Sequence, residues 1–303
     1  MANTWYLGPS GALVAIPAPA RGIDSSPGLV GKVSVSLNGT QTLYRASQPR
    51  TWNCQWNGLT EDQSNYLRLV GHGLVTGPLR LIDGEIRNRL PLRVATGGSY
   101  SQSAADFTFS GGAGAALAWV PISDPPATVP VRGGLSWQRG TNVAAVTPTN
   151  ASDRVPLIPG EQIRVSFWIR GTAISVYSAI DLWDATGTMV LRVQSGFGTT
   201  MDPVTWTQLS VTTTPLAAHI EASPVVLVQA GSPASSLQIT GFQIAQASAS
   251  TTWAIGGGAP TVLAGAPSAV TTAGNTATTT GLSDTYIHPG IRQFGLTLIE
   301  RLM

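Results

Sequence analysis

Residues 52–83 read WNCQWNGLTEDQSNYLRLVGHGLVTGPLRLID, and they hold the densest run of structural signals in the chain. Trp52, Cys54 and Trp56 alternate with Asn53 and Gln55, which is the period of a half-buried strand with the larger side chains on one face. Gly58 is expected to break that strand. Thr60 with Gln63 makes a capping-box pattern for a helix, with Tyr66, Leu67, Leu69 and Val70 as its apolar face and Gly71 to Gly73 as its stop. A second strand, Leu79-Arg80-Leu81-Ile82, follows Gly77-Pro78 and ends at Asp83-Gly84. The stretch therefore reads as the packing centre of a domain, in which Trp52 and Trp56 anchor a sheet and Leu67 and Val70 hold a helix against it.

Outward from this centre the pattern is β. Residues 12–16 are apolar, and residues 17–27 form a proline-punctuated loop. Residues 33–37 alternate up to Asn38-Gly39, a hairpin signal that returns through 42–44. Residues 86–90 and 92–94 read as further short strands, stopped by Gly97-Gly98. Residues 99–116 are then rich in Ser, Gly and Ala, and four prolines fall between Pro121 and Pro130, so a domain boundary is expected here.

A second block follows, with strands expected at 135–137, 155–158, 163–170, 176–183, 189–193, 206–211, 225–229 and 237–245. In the clearest of them, Ile163, Val165, Phe167 and Ile169 share one face while Arg164, Ser166, Trp168 and Arg170 share the other. Strands at this spacing, with no helix between them, indicate an antiparallel β-sandwich. Beyond residue 249 the chain turns Gly-, Thr- and Ala-rich, and GGGAP at 256–260 reads as a flexible loop. Phe294, Leu296 and Leu298 then alternate as a last strand, which needs a sheet to join, and the first domain is its natural host. The expected organisation is mainly β: a discontinuous sandwich- or barrel-like hub at 1–98 and 250–303 with one short helix, and an antiparallel sandwich (a jelly roll) inserted at 99–249.

Charged residues are 11% of the chain against about 25% in an ordinary domain, and the formal net charge is +2. That argues against a nucleic-acid surface, which needs a basic stripe. No apolar run reaches the length of a membrane span, and MANTWYLGPSG at the start lacks the basic region and apolar core of a secretory signal. The sparsely charged, Ser/Thr/Gly-rich composition suits a surface covered by neighbouring subunits. The single cysteine, Cys54, excludes an internal disulfide and reads as an inert buried thiol.

No catalytic arrangement emerges. His72, His219 and His288 are scattered with no metal-binding spacing, and neither a P-loop nor a nucleophile elbow is present, so no metal or cofactor is expected. Asp181 and Asp184 are the closest carboxylates, but Asp184 precedes Ala-Thr-Gly, as Asp does at a tight turn. Trp168 and Trp183 lie off their strands' main apolar faces. With Arg170 and Asp184 beside them they are the candidate carbohydrate-binding residues, since aromatic platforms flanked by polar groups suit sugar rings. The alternative reading is that both tryptophans only fill the ends of the sandwich.

These residues resemble a family. The pattern R-T-W-x-C-x-W-x-x-L-T at 50–60, then GPLRLID and Asn88, is similar to minor tail proteins of long-tailed (siphovirus) actinobacteriophages, which in turn resemble distal tail proteins. RQFGLTLIE at 292–300 is similar to the strand that closes such domains. The segments LIPGEQIRVSFWIRG, DLWDATGT and LQITGFQIAQA look like a carbohydrate-binding jelly roll, although Thr240-Gly241-Phe242-Gln243 stands where that family often carries an acidic pair. The resemblance implies a virion protein of the tail tip, assembled in the host cytoplasm. It also implies a homohexameric ring, with the tail tube protein and other tail tip proteins as partners and host cell-wall glycan as a further one. Three functions compete: a structural ring or adaptor, a glycan-binding receptor protein, and, last, a glycan-cleaving enzyme, which the missing carboxylate pair disfavours.

Overall fold

The computed structural model of the chain describes residues 4–19, 30–35, 41–46, 51–84, 86–140, 142–173, 175–196, 198–229, 235–264, 282–288 and 291–300. The expected Asn38-Gly39 turn, most of the 17–27 loop, the low-complexity run at 265–281 and the Phe294 side chain lie outside the described residues. The chain forms two compact units, one of Met1–Pro9, Val14–Leu81 and Pro260–Met303, the other of Ser10–Leu13 and Ile82–Ala259.

In chain order the first unit begins with β1 (Thr4–Pro9), β2 (Val14–Pro17), β3 (Val30–Val35), β4 (Gln41–Ala46), β5 (Thr51–Leu59), α1 (Glu61–Gly71) and β6 (Leu79–Ile82). The second unit holds the helix α2 (Leu92–Ala95), then β7 (Phe107–Phe109), β8 (Ala116–Pro121), β9 (Gly133–Arg139), β10 (Ala144–Pro148) and β11 (Val155–Pro156). It continues with β12 (Ile163–Gly171), β13 (Val176–Trp183), β14 (Met189–Gln194), β15 (Thr207–Thr213), β16 (Glu221–Val228) and β17 (Ser235–Gln246). The chain then returns to the first unit as β18 (Thr261–Ala264), β19 (Leu282–His288) and β20 (Ile291–Glu300).

The first unit is organised on β20. β5 runs antiparallel along one edge of it, with Trp56 opposite Phe294, Cys54 opposite Leu296 and Trp52 opposite Leu298. β18 and β19 share its other edge, and the sheet continues from β18 through β6 and β1 to β2, while β3 and β4 form a separate ladder. Gly58 does not end β5. The register slips by one residue there, and Gly58 takes φ +84, so it is the extra residue of a β-bulge that only glycine occupies without strain. Trp52, Cys54 and Trp56 are buried on one face with Trp5, Leu7 and Leu298.

The capping box forms as the sequence implies: Gln63 N donates to the Thr60 side chain while the Gln63 side chain accepts from Thr60 N. Ser64, Leu67 and Val70 face inward at three-residue spacing. Leu69, expected on that face, falls on the other side of the helix and is 47% exposed. Trp56 Nε1 donates to Pro17 O at 2.7 Å and the Tyr66 hydroxyl to Leu7 O at 2.9 Å, so two large polar-tipped side chains lock onto the first hairpin.

The second unit is a sandwich of two antiparallel sheets. One has the order β14-β13-β16-β10-β7, with β11 also on β16; the other has the order β15-β12-β17-β9-β8. Ile163, Val165, Phe167 and Ile169 of β12 are fully buried between the sheets with Val176, Ile180 and Leu182 of β13. In β17 the inward residues are Leu237 and Ile239, then Phe242 and Ile244. That change of parity needs one extra residue, and the register against β12 shifts between Ser166 and Trp168, beside Gly241 at φ +64.

The seams between units differ from those expected at residues 98 and 250. Residues 86–90 are not a strand and residues 92–94 are helical, in α2. The helix turns Val94 and Ala95 into the sandwich core beside Leu90. Asn88 is fully buried: its side-chain amide donates to Phe242 O and Ala254 O, and its carbonyl accepts from Leu90 N and Ile244 N. The GGGAP segment, expected as a flexible loop, is tightly bonded: Gly257 N donates to Leu90 O and Gly258 N to Asn88 O. A Cβ on Gly256 would sit 2.4 Å from Leu90 O, so glycine is needed for this backbone to approach. Strands β1, β7, β8, β10, β18 and β19 are additions to the strands that the sequence predicts.

Candidate functional site

The four residues singled out as a carbohydrate site fall into two pairs on opposite sheets of the sandwich. Trp168 and Arg170 point outward from β12. Trp183 and Asp184 stand at the end of β13, in the other sheet, so the structure does not bring the four together.

Each pair is occupied by the protein itself. Trp168 packs where Gly241 leaves room: a Cβ there would lie 3.2 Å from the indole and 3.0 Å from Val129, itself fully buried. The guanidinium of Arg170 donates twice to Asp124, at 2.6 and 2.9 Å, and Nε donates to Gln238 at 2.8 Å. It also lies 4.6 Å from the Trp206 ring centroid, and Trp206 Nε1 donates to Asp124 O. Asp124 is held below the usual carboxylate range, first by the Arg170 hydrogen bond. This cluster clamps the connection between β8 and β9 onto the outer face of β12.

On the other sheet, Arg154 lies 3.4 Å from the Trp183 ring centroid and Trp183 Nε1 donates to Ser223 Oγ. A sugar stacking on the face that Arg154 covers would have to displace it. Asp184 Oδ1 accepts from Thr186 N, Thr186 Oγ1 and Thr188 N, which makes it a turn residue; these bonds, the Thr186 hydroxyl first, hold its carboxyl low. Asp181 is buried and takes two hydrogen bonds from Arg192, at 2.6 and 2.8 Å. Among the described residues no group of His, Cys, Asp and Glu could hold a metal ion.

An open concave feature lies elsewhere in this unit. β7 is the edge strand of one sheet and β8 of the other, and a cleft of about 470 Å³ sits between them. Its lining is Phe107 and Phe109 from β7, Leu117, Ala118 and Trp119 from β8, and residues 102–105 of the connecting loop. The floor is anchored in the core: Phe107 is 5% exposed and its ring lies 5.4 Å from Phe242, which lies 5.7 Å from Phe167. Phe109, by contrast, is 43% exposed.

The loop wall is rigidly built. Ser103 N donates to Gly98 O and Tyr100 N to Thr96 Oγ1, while Ser101 Oγ bonds Asp106. Gly98 takes φ +76, and a Cβ on it would strike Ser103 O at 2.2 Å. Gln102 holds φ +51, a strained value for a residue with a side chain. The Trp119 indole is seated by another glycine: a Cβ on Gly133 would lie 2.7 Å from its ring, and Trp119 Nε1 donates to Ser99 Oγ at 3.4 Å. Fixed aromatic rings beside a hydroxyl and a carboxamide can bind a small amphipathic ligand; none of the described lining residues is ionisable, so none can move a proton.

This cleft was missed because its residues fall in the stretch taken for a Ser/Gly/Ala-rich boundary. Two short alternations signal it: Phe107-Thr108-Phe109, and Leu117-Ala118-Trp119.

No family model matches the chain, and no curated protein does. Among solved structures, it is similar to the enzymatically active domain of tailspike protein 4 of bacteriophage CBA120, with a TM-score of 0.41 and 13% identity over 52% of this chain and 21% of that one. The chain thus spans about a fifth of that tailspike domain. It is similar to the carbohydrate-binding module TmCBM61, described in complex with β-1,4-galactotriose, with a TM-score of 0.36 and 17% identity over 53% of this chain and 99% of that one. It is also similar to the xylan-binding domain CBM22-1 of Paenibacillus barcinonensis Xyn10C, with a TM-score of 0.34 and 11% identity over 47% of this chain and 87% of that one.

Proposed function

We propose that the chain is a structural component of a bacteriophage tail tip, a ring or adaptor of distal-tail type, whose inserted sandwich binds glycan. The first unit is the hub, packing with copies of itself into a hexameric ring between the tail tube protein and other tip proteins. Two of the segments that resemble the tail family, residues 50–60 and 292–300, contain the strands that pair in the first unit, which supports reading these two as one domain. The glycan reading is carried by the cleft, where Phe107, Phe109 and Trp119 line a cavity of about 470 Å³ that is open at the sandwich edge. In this reading the protein acts by binding, with Phe107, Phe109 and Trp119 supplying ring faces and Gln102 and Ser103 supplying hydrogen-bonding groups.

Two measurements test this. Light scattering coupled to size exclusion should give a hexamer's mass; a monomer at micromolar concentration in several buffers overturns the ring. A glycan array probed with the intact protein should show binding that Phe109→Ala weakens. A monomer that binds glycan favours the second reading, a host-recognition protein of the tail, for which the cleft is the supporting observation.

A further inference from the structure

We infer that the edge cleft selects uncharged sugar residues and rejects anionic ones, an inference that rests on the glycan reading above. Its lining is Gln102, Ser103, two alanines, and the apolar and aromatic side chains of β7 and β8, with no cation to meet a carboxylate, sulfate or phosphate. The charged groups of the adjoining loop are already committed. Arg93 donates to Asp153 at 2.6 and 3.1 Å and lies 3.5 Å from Asp106, and Asp106 also accepts from Ser101. An anionic ligand entering this cleft gives up hydration and gains no counter-charge, which is strongly unfavourable.

A neutral pyranose finds what it needs. Its apolar face can lie on Phe109 and Trp119, the two rings of the lining that the core does not bury. Its hydroxyls can meet the Gln102 carboxamide and the Ser103 hydroxyl, which already accepts from Ala105 N and has its own hydrogen to give. β7 and β8 add to this, because each is an edge strand paired along one side only, β7 with β10 and β8 with β9. Apart from Phe107 N, which donates to Ala104 O, the unpaired side of each edge strand carries backbone groups that can act as donors and acceptors. Binding through such contacts carries no net charge change, so it is insensitive to salt and to pH between the carboxylate and tyrosine ranges.

The test is calorimetric titration of the intact protein with neutral oligosaccharides of glucose, galactose and arabinose, and in parallel with oligogalacturonate and sugar phosphates. Neutral oligomers should bind with an affinity that is the same at low and high salt. Phe109→Ala should weaken that binding about tenfold while leaving thermal unfolding unchanged, because the ring is partly exposed. Ala118→Lys, at an exposed lining position, should add affinity for the anionic oligomers that was absent before. Salt-sensitive binding of anionic oligomers to the unaltered protein overturns the charge selection and leaves the glycan reading standing. Neutral binding that neither variant changes places the sugar elsewhere and overturns the cleft. No binding of either class overturns both readings.

Discussion

The two units reach a β-rich core by opposite routes. In the first, the strand that carries the tryptophans is completed by the far end of the chain: Thr297 Oγ1 donates to Asn53 Oδ1 across 244 positions. In the second, both sheets come from one stretch, Ile82–Ala259. The interiors differ as well. In the first unit Trp56 and Tyr66 donate to backbone carbonyls, while Trp5 Nε1 and Ser64 Oγ are buried with no hydrogen-bond partner among the described residues. The sandwich unit instead buries charge in pairs, with Arg89 on Glu161 at 2.5 and 2.6 Å and Arg93 on the fully buried Asp153. The first unit is thus vulnerable to losing a distant strand, and the second to losing a single polar connector. Long-range pairing of the first kind also closes late, after the intervening segment is made.

The largest expected effect separates the units outright. Deleting residues 291–303 removes β20, which pairs with β5, β18 and β19, so the first unit should unfold while the sandwich persists. Hydrogen exchange resolved by peptide would show protection lost in Thr51–Leu59 and kept in Ile163–Gly171; protection kept in both sinks the idea that the far strand is required. The complementary break is Asn88→Ala, which orphans two carbonyls and two N–H groups in the sandwich unit. It should cost on the order of 3 kcal/mol of that unit's stability and lower its denaturation midpoint alone.

Smaller effects sharpen the contrast. Thr60→Ala removes one half of the capping box and should cost about 1 kcal/mol, measured as a shift of the first unit's denaturant midpoint. The last prediction concerns alkali. Burial pushes the Tyr66 phenol from 10.0 up to about 12. The folded chain therefore keeps a proton that the unfolded chain loses, so the first unit loses stability as pH rises from 10 toward 12. In a pH titration of unfolding, Tyr66→Phe should flatten that decline; an unchanged slope would assign the alkaline lability to other groups.

Much of this was legible locally. The Trp52, Cys54 and Trp56 alternation, the Thr60 and Gln63 cap, and the faces of residues 163–170 are period and capping signals that a few neighbouring residues carry by themselves. Strands β7 and β8 were not, because each is a short run, Phe107–Phe109 and Ala116–Pro121, set beside Ser-, Gly- and Ala-rich sequence, and so short a run becomes a strand only when a sheet is there to pair with. Gly58 shows the same limit: a glycine in a strand signals a break or a bulge, and the facing strand decides which.

The amino-acid sequence by itself determined the β class, the one capped helix and the alternation of the sandwich core, because these follow from short-range periodicity and local capping. Only the tertiary structure decided the candidate site. Trp168 and Trp183 sit on opposite sheets, Trp168 beside Gly241 and Trp183 under the Arg154 guanidinium, while Phe107, Phe109 and Trp119 meet across a sandwich edge. Which side chains share a cleft depends on the order of strands across two sheets, and the periodicity of each strand carries no information about that order.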